Sequence, residues 1–98
     1  MKTLEGKIAW ITGAGTGIGR GGALALAQAG AVVILSGRRT EQLQDVKKAV
    51  EAAGGIAETA PLDIVDVKAC DAVVSQILST HKRLDVVVNS AGLNVPKR

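Results

Sequence analysis

Four short apolar segments alternate with three segments of helical pattern, and this alternation constrains the fold more than any other feature of the 98-residue chain. The predicted strands are Lys7–Thr12, Ala31–Ser36, Ile56–Ala60 and Leu84–Asn89. Short continuous apolar runs are typical of strands buried on both faces, as in parallel sheets. Strands that alternate with helices form a parallel sheet with right-handed crossovers. The sequence therefore predicts an α/β protein with the order β-α-β-α-β-α-β.

The three predicted helices carry recognisable end signals. They span Arg20–Ala29, Thr40 to about Ala53, and the residues from Asp66 to about Thr80. We expect Gly30 to end the first helix and Gly54 to end the second. Thr40 and Asp66 are expected to cap the second and third helices at their amino ends. The core-facing positions, spaced three or four apart, are Leu43, Val46, Val50 and Ala53, then Val67, Cys70, Val74 and Ile77.

Composition limits the chemistry that the chain can perform. It has one Cys, one His, one Trp, and neither Tyr nor Phe. A single Cys excludes an internal disulfide and a cysteine cluster, and a single His excludes a multi-histidine site, so we expect no metal. No phenol is present to act as an acid, base or nucleophile. Trp10 is expected in the core, Cys70 on a buried helix face, and His81 as a solvated residue at a helix end.

Charge and hydropathy bear on the partners and the cellular location of the protein. The net charge of +3 is small, and its basic residues are scattered. Nucleic-acid-binding proteins more often combine a basic face with stacking aromatics, so nucleic acid is not an expected partner. Residues 1–7 lack the apolar stretch of a signal peptide, and the longest uncharged run, Gly21–Gly37, is short for a membrane span. We predict a cytoplasmic protein without a membrane partner.

A glycine-rich segment follows the first predicted strand directly and reads TGAGTGIG from Thr12 to Gly19. Glycine permits a turn with positive φ and lets the backbone approach a pyrophosphate without an intervening side chain. The N–H groups at the start of the next helix would then face the anion. The alternative is a tight strand–helix connection without a ligand, which requires fewer glycines. The predicted phosphate-binding residues are Gly13, Gly15, Thr16, Gly17, Ile18 and Gly19.

The pattern T-G-x-x-x-G-x-G after the first strand resembles that of the short-chain dehydrogenase/reductase family. Leu62-Asp63, after the third predicted strand, resembles the family's adenine-contacting aspartate. Asn89-Ser90-Ala91-Gly92 resembles its N-N-A-G motif, with Ser at the second position. The resemblance implies a Rossmann-type three-layer parallel sheet with strand order 3-2-1-4, counted along the chain. Residues 1–98 would form only the amino-terminal, dinucleotide-binding part of that domain.

The resemblance also implies further cofactor contacts, at Asp63, Ile64, Asn89, Ala91 and Gly92. Asp63 would accept a hydrogen bond from the adenine amino group. The alternative is a loop aspartate that helps Asp66 to start the next helix. Asn89 would lie beside the cofactor's ribose. An alternative, compatible with that role, is that its side-chain amide ties adjacent strand ends together.

The end of the second predicted strand bears on which nicotinamide cofactor binds. NAD-binding Rossmann domains carry an acidic residue there, and by alignment with the family Gly37 occupies that position. A guanidinium can bind a 2′-phosphate bidentately, whereas a carboxylate would repel it. We therefore expect NADP, with NAD as the second choice, and contacts from Arg38 first and Arg39 second. The alternative is two solvated arginines before a helix, and Thr16 lacks the basic side chain that NADP-binding members often carry at that position.

The family's activity is hydride transfer between the nicotinamide and a small carbonyl or alcohol substrate, and its members commonly form homo-oligomers. The family uses a tyrosine as general acid/base, a lysine four residues later, and a serine that orients the carbonyl. Because the 98 residues contain no Tyr, no catalytic residue is assigned. We expect a cofactor-binding fragment of an NADP-dependent oxidoreductase, inactive alone. The alternative is a non-catalytic dinucleotide-binding module or redox sensor.

Overall fold

The computed structural model describes residues 3–15 and 17–90. Its elements are β1 (Ile8–Thr12), α1 (Gly17–Gln28), β2 (Val32–Ser36), α2 (Thr40–Ala52), β3 (Ile56–Thr59), α3 (Val67–His81) and β4 (Val86–Asn89). The predicted order of elements is confirmed, and the bounds differ only at their ends. Within the described residues, no helix combines the length and apolarity needed to cross a membrane.

The four strands form one parallel sheet with the order β3-β2-β1-β4, as predicted. The chain therefore builds outward from β1 to β3 on one side and then crosses to the other side of β1 for β4. In register, Thr12 lies between Ser36 and Asn89, so three strands end side by side. Open parallel sheets bind ligands outside the carboxyl ends of the strands, where the strand order reverses. Here that point is the end of β1.

Helices α1 and α2 cover one face of the sheet. Alternate residues of β1 and β2 point into this face, and α1 contributes the small side chains of Ala23 and Ala27. Helix α2 contributes Leu43, Val46 and Val50, which are fully buried as predicted. The predicted core position Ala53 is wrong because the helix ends at Ala52, and Ala53 lies exposed at its carboxyl cap.

Helix α3 covers the other face, where Ile8, Trp10, Ile34 and Ile77 form a smaller buried cluster. The predicted core position of Trp10 is confirmed. Cys70 and Val74 are only half-buried, and the prediction for Val67 is wrong, because this side chain is 69% exposed. Val67 is the first residue of α3, and the helix contacts the sheet cluster only from Cys70 onward.

Helices α1 and α2 end at the glycines that the sequence predicts. Gly30 and Gly54 have φ values of +106° and +89°. In each case the N–H groups of the glycine and of the next residue donate to carbonyls of the last helical turn, which is the Schellman arrangement. Helix α3 ends differently, at Lys82 in the left-handed conformation, whose N–H donates to the carbonyl of Leu78.

One amino-terminal cap is confirmed and the other is wrong. The carboxylate of Asp66 accepts a hydrogen bond of 3.1 Å from the N–H of Ala69, as a capping residue does. The cap position of α2 is Arg39, with extended backbone angles and no side-chain hydrogen bond to the helix. Thr40 is already helical, so its hydroxyl lies one position too late to cap the first turn.

The prediction that His81 lies at a helix end is confirmed, because it is the last residue of α3, but the prediction that it is solvated is wrong. Its side chain is only 18% exposed, and Nε2 lies 3.0 Å from Oε2 of Glu58 on β3. This ion pair joins the carboxyl end of α3 to the edge strand of the sheet.

Candidate functional site

Two cavities open at the carboxyl ends of the strands. The first, of 210 Å³, is lined by the ends of β1 and β2 and by residues 62–65 of the β3–α3 loop. The second, of 420 Å³, lies over the glycine loop and the first turn of α2. Gly13, Gly37 and Arg38 line both cavities. The structure thus brings together three of the four segments predicted to bind the cofactor: the glycine loop, the loop after β2 and the loop after β3.

The glycine loop has the close packing that its sequence predicts. Gly13 and Gly17 have φ values of +66° and +59°, which residues with a side chain rarely adopt. A Cβ atom on Gly19 would overlap the carbonyl of Gly13 and would lie 2.5 Å from Oγ of Ser90. The prediction that the loop extends to Gly19 is wrong, because helix α1 begins at Gly17 and residues 17–19 form its first turn. The amino end of α1, including Ile18, therefore opens directly on the larger cavity.

Gln42 is a site residue that the sequence reasoning missed. A Cβ atom on Gly15 would lie 2.7 Å from Oε1 and 2.9 Å from Cβ of Gln42, so the first turn of α2 packs on the bare backbone of the loop. Its side chain lines the larger cavity together with Arg38 and Arg39. A sequence signal was available, because Gln42 lies one helical turn after Arg39 in the helix that follows β2.

Hydrogen bonds fasten the strand ends beneath the loop. The hydroxyl of Thr12 donates to Oδ1 of Asn89 at 3.0 Å, and the hydroxyl of Ser90 donates to the Thr12 carbonyl at 2.7 Å. The N–H of Ala14 donates to the Ser36 carbonyl at 3.0 Å. Asn89 therefore does tie β4 to β1, which was one of its two expected roles. Its contact with a cofactor ribose stays a prediction.

Arg38 and Arg39 are exposed at the rim of the cavities. In residues 3–15 and 17–90 the ion pairs are those of His81 with Glu58 and of Arg83 with Asp85, so neither rim guanidinium has a carboxylate partner there. The arrangement leaves two positive charges beside the bare glycine backbone. Such a surface suits a phosphate, which a guanidinium can bind bidentately.

Asp63 and Ile64 line the smaller cavity together with Gly37 and Arg38. One carboxylate oxygen of Asp63 accepts a hydrogen bond of 3.1 Å from the N–H of Val65, and the Asp63 carbonyl accepts one from the N–H of Asp66. Asp63 therefore helps to turn the chain into α3, as its alternative interpretation states. The adenine contact of Asp63 and Ile64 stays a prediction.

The remaining candidate residues give no further chemistry. The thiol of Cys70 donates to the carbonyl of Ile64 at 3.4 Å, and burial raises its pKa, which keeps it protonated. Nowhere in the described part of the chain do three metal-ligating side chains converge. The predicted contacts of Thr16, Ala91 and Gly92 lie outside the described residues.

Comparison with known sequences agrees with the motifs. A family model for short chain dehydrogenases matches residues 7–98. A fatty acyl-CoA reductase of Acinetobacter baylyi is 40% identical over 94 residues, which are 96% of this chain and 32% of that protein. An uncharacterised oxidoreductase of Mycobacterium tuberculosis is 38% identical over 96 residues, which are 98% of this chain and 36% of that protein. The chain thus spans about a third of the length of these relatives.

Solved structures of short-chain dehydrogenases also resemble this chain over part of their length. A hydroxysteroid dehydrogenase from Escherichia coli superposes with a TM-score of 0.87 at 36% identity, over 96% of this chain and 40% of that one. A metagenomic short-chain oxidoreductase in complex with NADP superposes with a TM-score of 0.90 at 41% identity, over 93% and 41% of the two chains. At this identity the similarity extends beyond the fold to the family.

Proposed function

Because the chain belongs to the short-chain dehydrogenase family, we propose that it forms the dinucleotide-binding part of an NADP-dependent oxidoreductase. The whole protein would transfer hydride between the nicotinamide and a small carbonyl or alcohol. Residues 1–98 would be the amino-terminal part of its Rossmann domain. The two relatives named by substrate act on different classes of molecule, so the proposal stays at the carbonyl/alcohol level.

The observation that carries the proposal is the bare backbone of the glycine loop beside two arginines without carboxylate partners in the described residues. A Cβ atom on Gly15 would collide with Gln42, and one on Gly19 with the Gly13 carbonyl and Ser90, so glycine lets the loop pack this closely. The start of α1, at Gly17 and Ile18, lines the larger cavity, where N–H groups and the helix dipole favour an anion. A dinucleotide fits this arrangement because it presents a pyrophosphate and, in NADP, a 2′-phosphate.

We assign each part of the cofactor to one group of residues. The pyrophosphate lies on the glycine loop, which comprises Gly13, Gly15, Thr16, Gly17, Ile18 and Gly19. The 2′-phosphate lies with Arg38 and then Arg39, and the adenine with Asp63 and Ile64 in the smaller cavity. Asn89 lies beside the cofactor's ribose, and Ala91 and Gly92 let the backbone and the cofactor approach closely. When bound, the dinucleotide supplies or accepts the hydride.

The proposal leaves proton transfer to residues outside this set. The developing alkoxide of a carbonyl substrate requires a proton donor within hydrogen-bond reach. The 98 residues contain no tyrosine, so we assign none of them as the general acid. Cofactor binding without turnover is therefore the expected activity of these residues by themselves.

Calorimetry with NADP and NAD tests the cofactor assignment. Arg38→Ala should weaken NADP binding about tenfold, because a charge-assisted phosphate contact is lost, and should leave NAD binding nearly unchanged. Gly37→Asp should shift the preference towards NAD, because a carboxylate repels the 2′-phosphate. The structure accommodates this change, since a Cβ atom on Gly37 meets its nearest neighbour, Leu43, at an ordinary 3.4 Å.

Arg20→Ala is the matched control, because Arg20 is an exposed arginine on α1 that lines neither cavity. An NADP/NAD ratio that neither Arg38→Ala nor Gly37→Asp changes would contradict the preference for NADP. Failure of the unaltered chain to bind either dinucleotide would overturn the whole proposal.

A further inference from the structure

The chain's single aromatic residue forms a buried polar link between strands. Trp10 lies in the central strand β1 and is 6% exposed. Its indole Nε1–H donates to Oγ of Ser36 on β2 at 2.8 Å, and the Ser36 hydroxyl donates to the carbonyl of Ala60 at 2.7 Å. A buried indole N–H requires such a partner. The link therefore runs from β1 across the end of β2 to the residue that follows β3.

The Ser36 hydroxyl uses its single proton and one lone pair in these two bonds. It donates a hydrogen bond to the Ala60 carbonyl and accepts one from the indole N–H of Trp10. Ser36 is 0% exposed, although it forms part of the wall of the 210 Å³ cavity. It lies behind the surface that a ligand would contact. Any effect on a ligand must therefore act through its neighbours.

Those neighbours belong to the two loops that line the cavity, the Arg38 loop and the Asp63 loop. Gly37 and Arg38 follow Ser36 directly, and residues 62–65 follow Ala60 after one further residue. The N–H of Leu62 also donates to the Gly37 carbonyl at 3.0 Å. The Trp10–Ser36–Ala60 link thus fixes the base of both loops from within the sheet, and the backbone bond fixes them one step further out.

We propose that Ser36, held by Trp10, is a positioning residue that sets the spacing between the Arg38 loop and the Asp63 loop. In this way it sets the affinity of the site for the adenosine half of the dinucleotide. The inference rests on the proposed function, because it takes the smaller cavity as the adenosine pocket. Ser36 does not contact the ligand, but it determines the spacing of the two loops that line this pocket.

Ser36→Ala tests the inference most directly. The change leaves the indole N–H of Trp10 and the carbonyl of Ala60 without their buried partner, so both loops should shift. The dissociation constants of NADP and of adenosine 2′,5′-bisphosphate, measured by calorimetry, should each rise about tenfold. Equal factors for the two ligands would show that the effect lies in the adenosine half.

Trp10→Phe is the second variant and serves if Ser36→Ala does not fold. It keeps an aromatic ring in the core and the bond from Ser36 to Ala60, so the rise in both dissociation constants should be smaller, about threefold.

Trp10 fluorescence provides a second readout for the wild type and for Ser36→Ala, because the chain has no Tyr and no other Trp. Adenosine 2′,5′-bisphosphate should change the emission of Trp10 in the wild-type chain, and Ser36→Ala should reduce that change.

Val50→Ala is the control for a general loss of stability. Val50 is buried on the opposite face of the sheet and packs near Gly55, at the amino end of β3. It should destabilise the chain without changing either dissociation constant. The inference is overturned if Ser36→Ala and Trp10→Phe bind adenosine 2′,5′-bisphosphate as tightly as the wild type, or if Val50→Ala weakens binding as much as Ser36→Ala. Absence of NADP binding by the wild-type chain would instead overturn the proposed function itself.

Discussion

The two faces of the sheet are stabilised by different kinds of interaction. Among residues 3–15 and 17–90, twelve buried hydrophobic residues lie on the face under α1 and α2, whereas four lie on the face under α3. On the α3 face, polar contacts supplement the packing: the indole of Trp10 with Ser36, His81 with Glu58, and the Ile8 N–H with Asp85. One face is therefore a dense apolar core, and the other is a thinner core fastened by hydrogen bonds.

This difference bears on the site because its loops rest on both faces. The glycine loop enters α1, which packs through small residues such as Ala23 and Ala27 on the dense face. The Asp63 loop leads into α3 on the thin face. The part of the site that we propose for the pyrophosphate is thus held by close packing, and the part proposed for the adenine depends on a few directional contacts.

The largest effect is expected from equivalent truncations on the two faces. Leu43→Ala removes a fully buried side chain from the dense face and should lower the free energy of unfolding by about 4 kcal/mol. Ile77→Ala removes the same number of carbon atoms from the thin face and should cost about 2 kcal/mol, because fewer neighbours surround the cavity that forms. Urea denaturation measures both. Equal losses, or a larger loss for Ile77→Ala, would contradict the contrast between the faces.

A smaller effect is expected where α1 packs on the glycine loop. Gly19→Ala places a methyl group against the Gly13 carbonyl and Ser90, and should lower the free energy of unfolding by about 3 kcal/mol. Gly21→Ala, two residues along the same helix, meets open space and should raise it by about 0.5 to 1 kcal/mol, as alanine replaces glycine in a helix interior. Opposite signs in thermal or urea unfolding are the expected result. A neutral Gly19→Ala would show that the loop is not closely packed.

Much of the dense face could be predicted from the sequence. The apolar runs fix β1 and β2, the spacing of Leu43, Val46 and Val50 fixes the inner face of α2, and Gly30 and Gly54 fix two helix ends. These features follow from local periodicity and from backbone angles that glycine adopts readily. The same signals predict which loops meet at the carboxyl edge of the sheet.

The thin face and the cross-loop contacts could not be predicted in this way. The apolar periodicity of α3 includes Val67, but how much of a helix touches the sheet depends on its tilt, which the spacing does not encode. The partners of Trp10, His81 and Gly15 are Ser36, Glu58 and Gln42, each distant in sequence. Such pairs depend on strand register and on the path of the loops, so they become visible only in three dimensions.

The smallest predicted effect on stability concerns the hydrogen bonds of Asp85 at the amino end of the thin face. Asp85 accepts hydrogen bonds from Nε and Nη2 of Arg83 and, at 2.8 Å, from the N–H of Ile8. The guanidinium of Arg83, followed by the Ile8 N–H, lowers the pKa of Asp85 below its ordinary value of 3.8. A carboxylate with a lowered pKa in the folded state stabilises the protein above the pKa of the unfolded chain, and this contribution is lost as the pH falls through the folded-state value.

Asp85→Asn should therefore lower stability slightly at pH 7, because the charge is lost while an amide oxygen remains for the Ile8 N–H. The difference from the wild type should narrow as the pH falls through the lowered pKa of Asp85, because Asp85 itself then becomes protonated. Urea denaturation across this range measures it. Asp45→Asn, at an exposed position of α2, provides the control and should show no such convergence with the wild type. If the Asp85→Asn difference is the same at every pH, the contact acts through shape and not charge, and the thin face is fastened less by electrostatics than its geometry indicates.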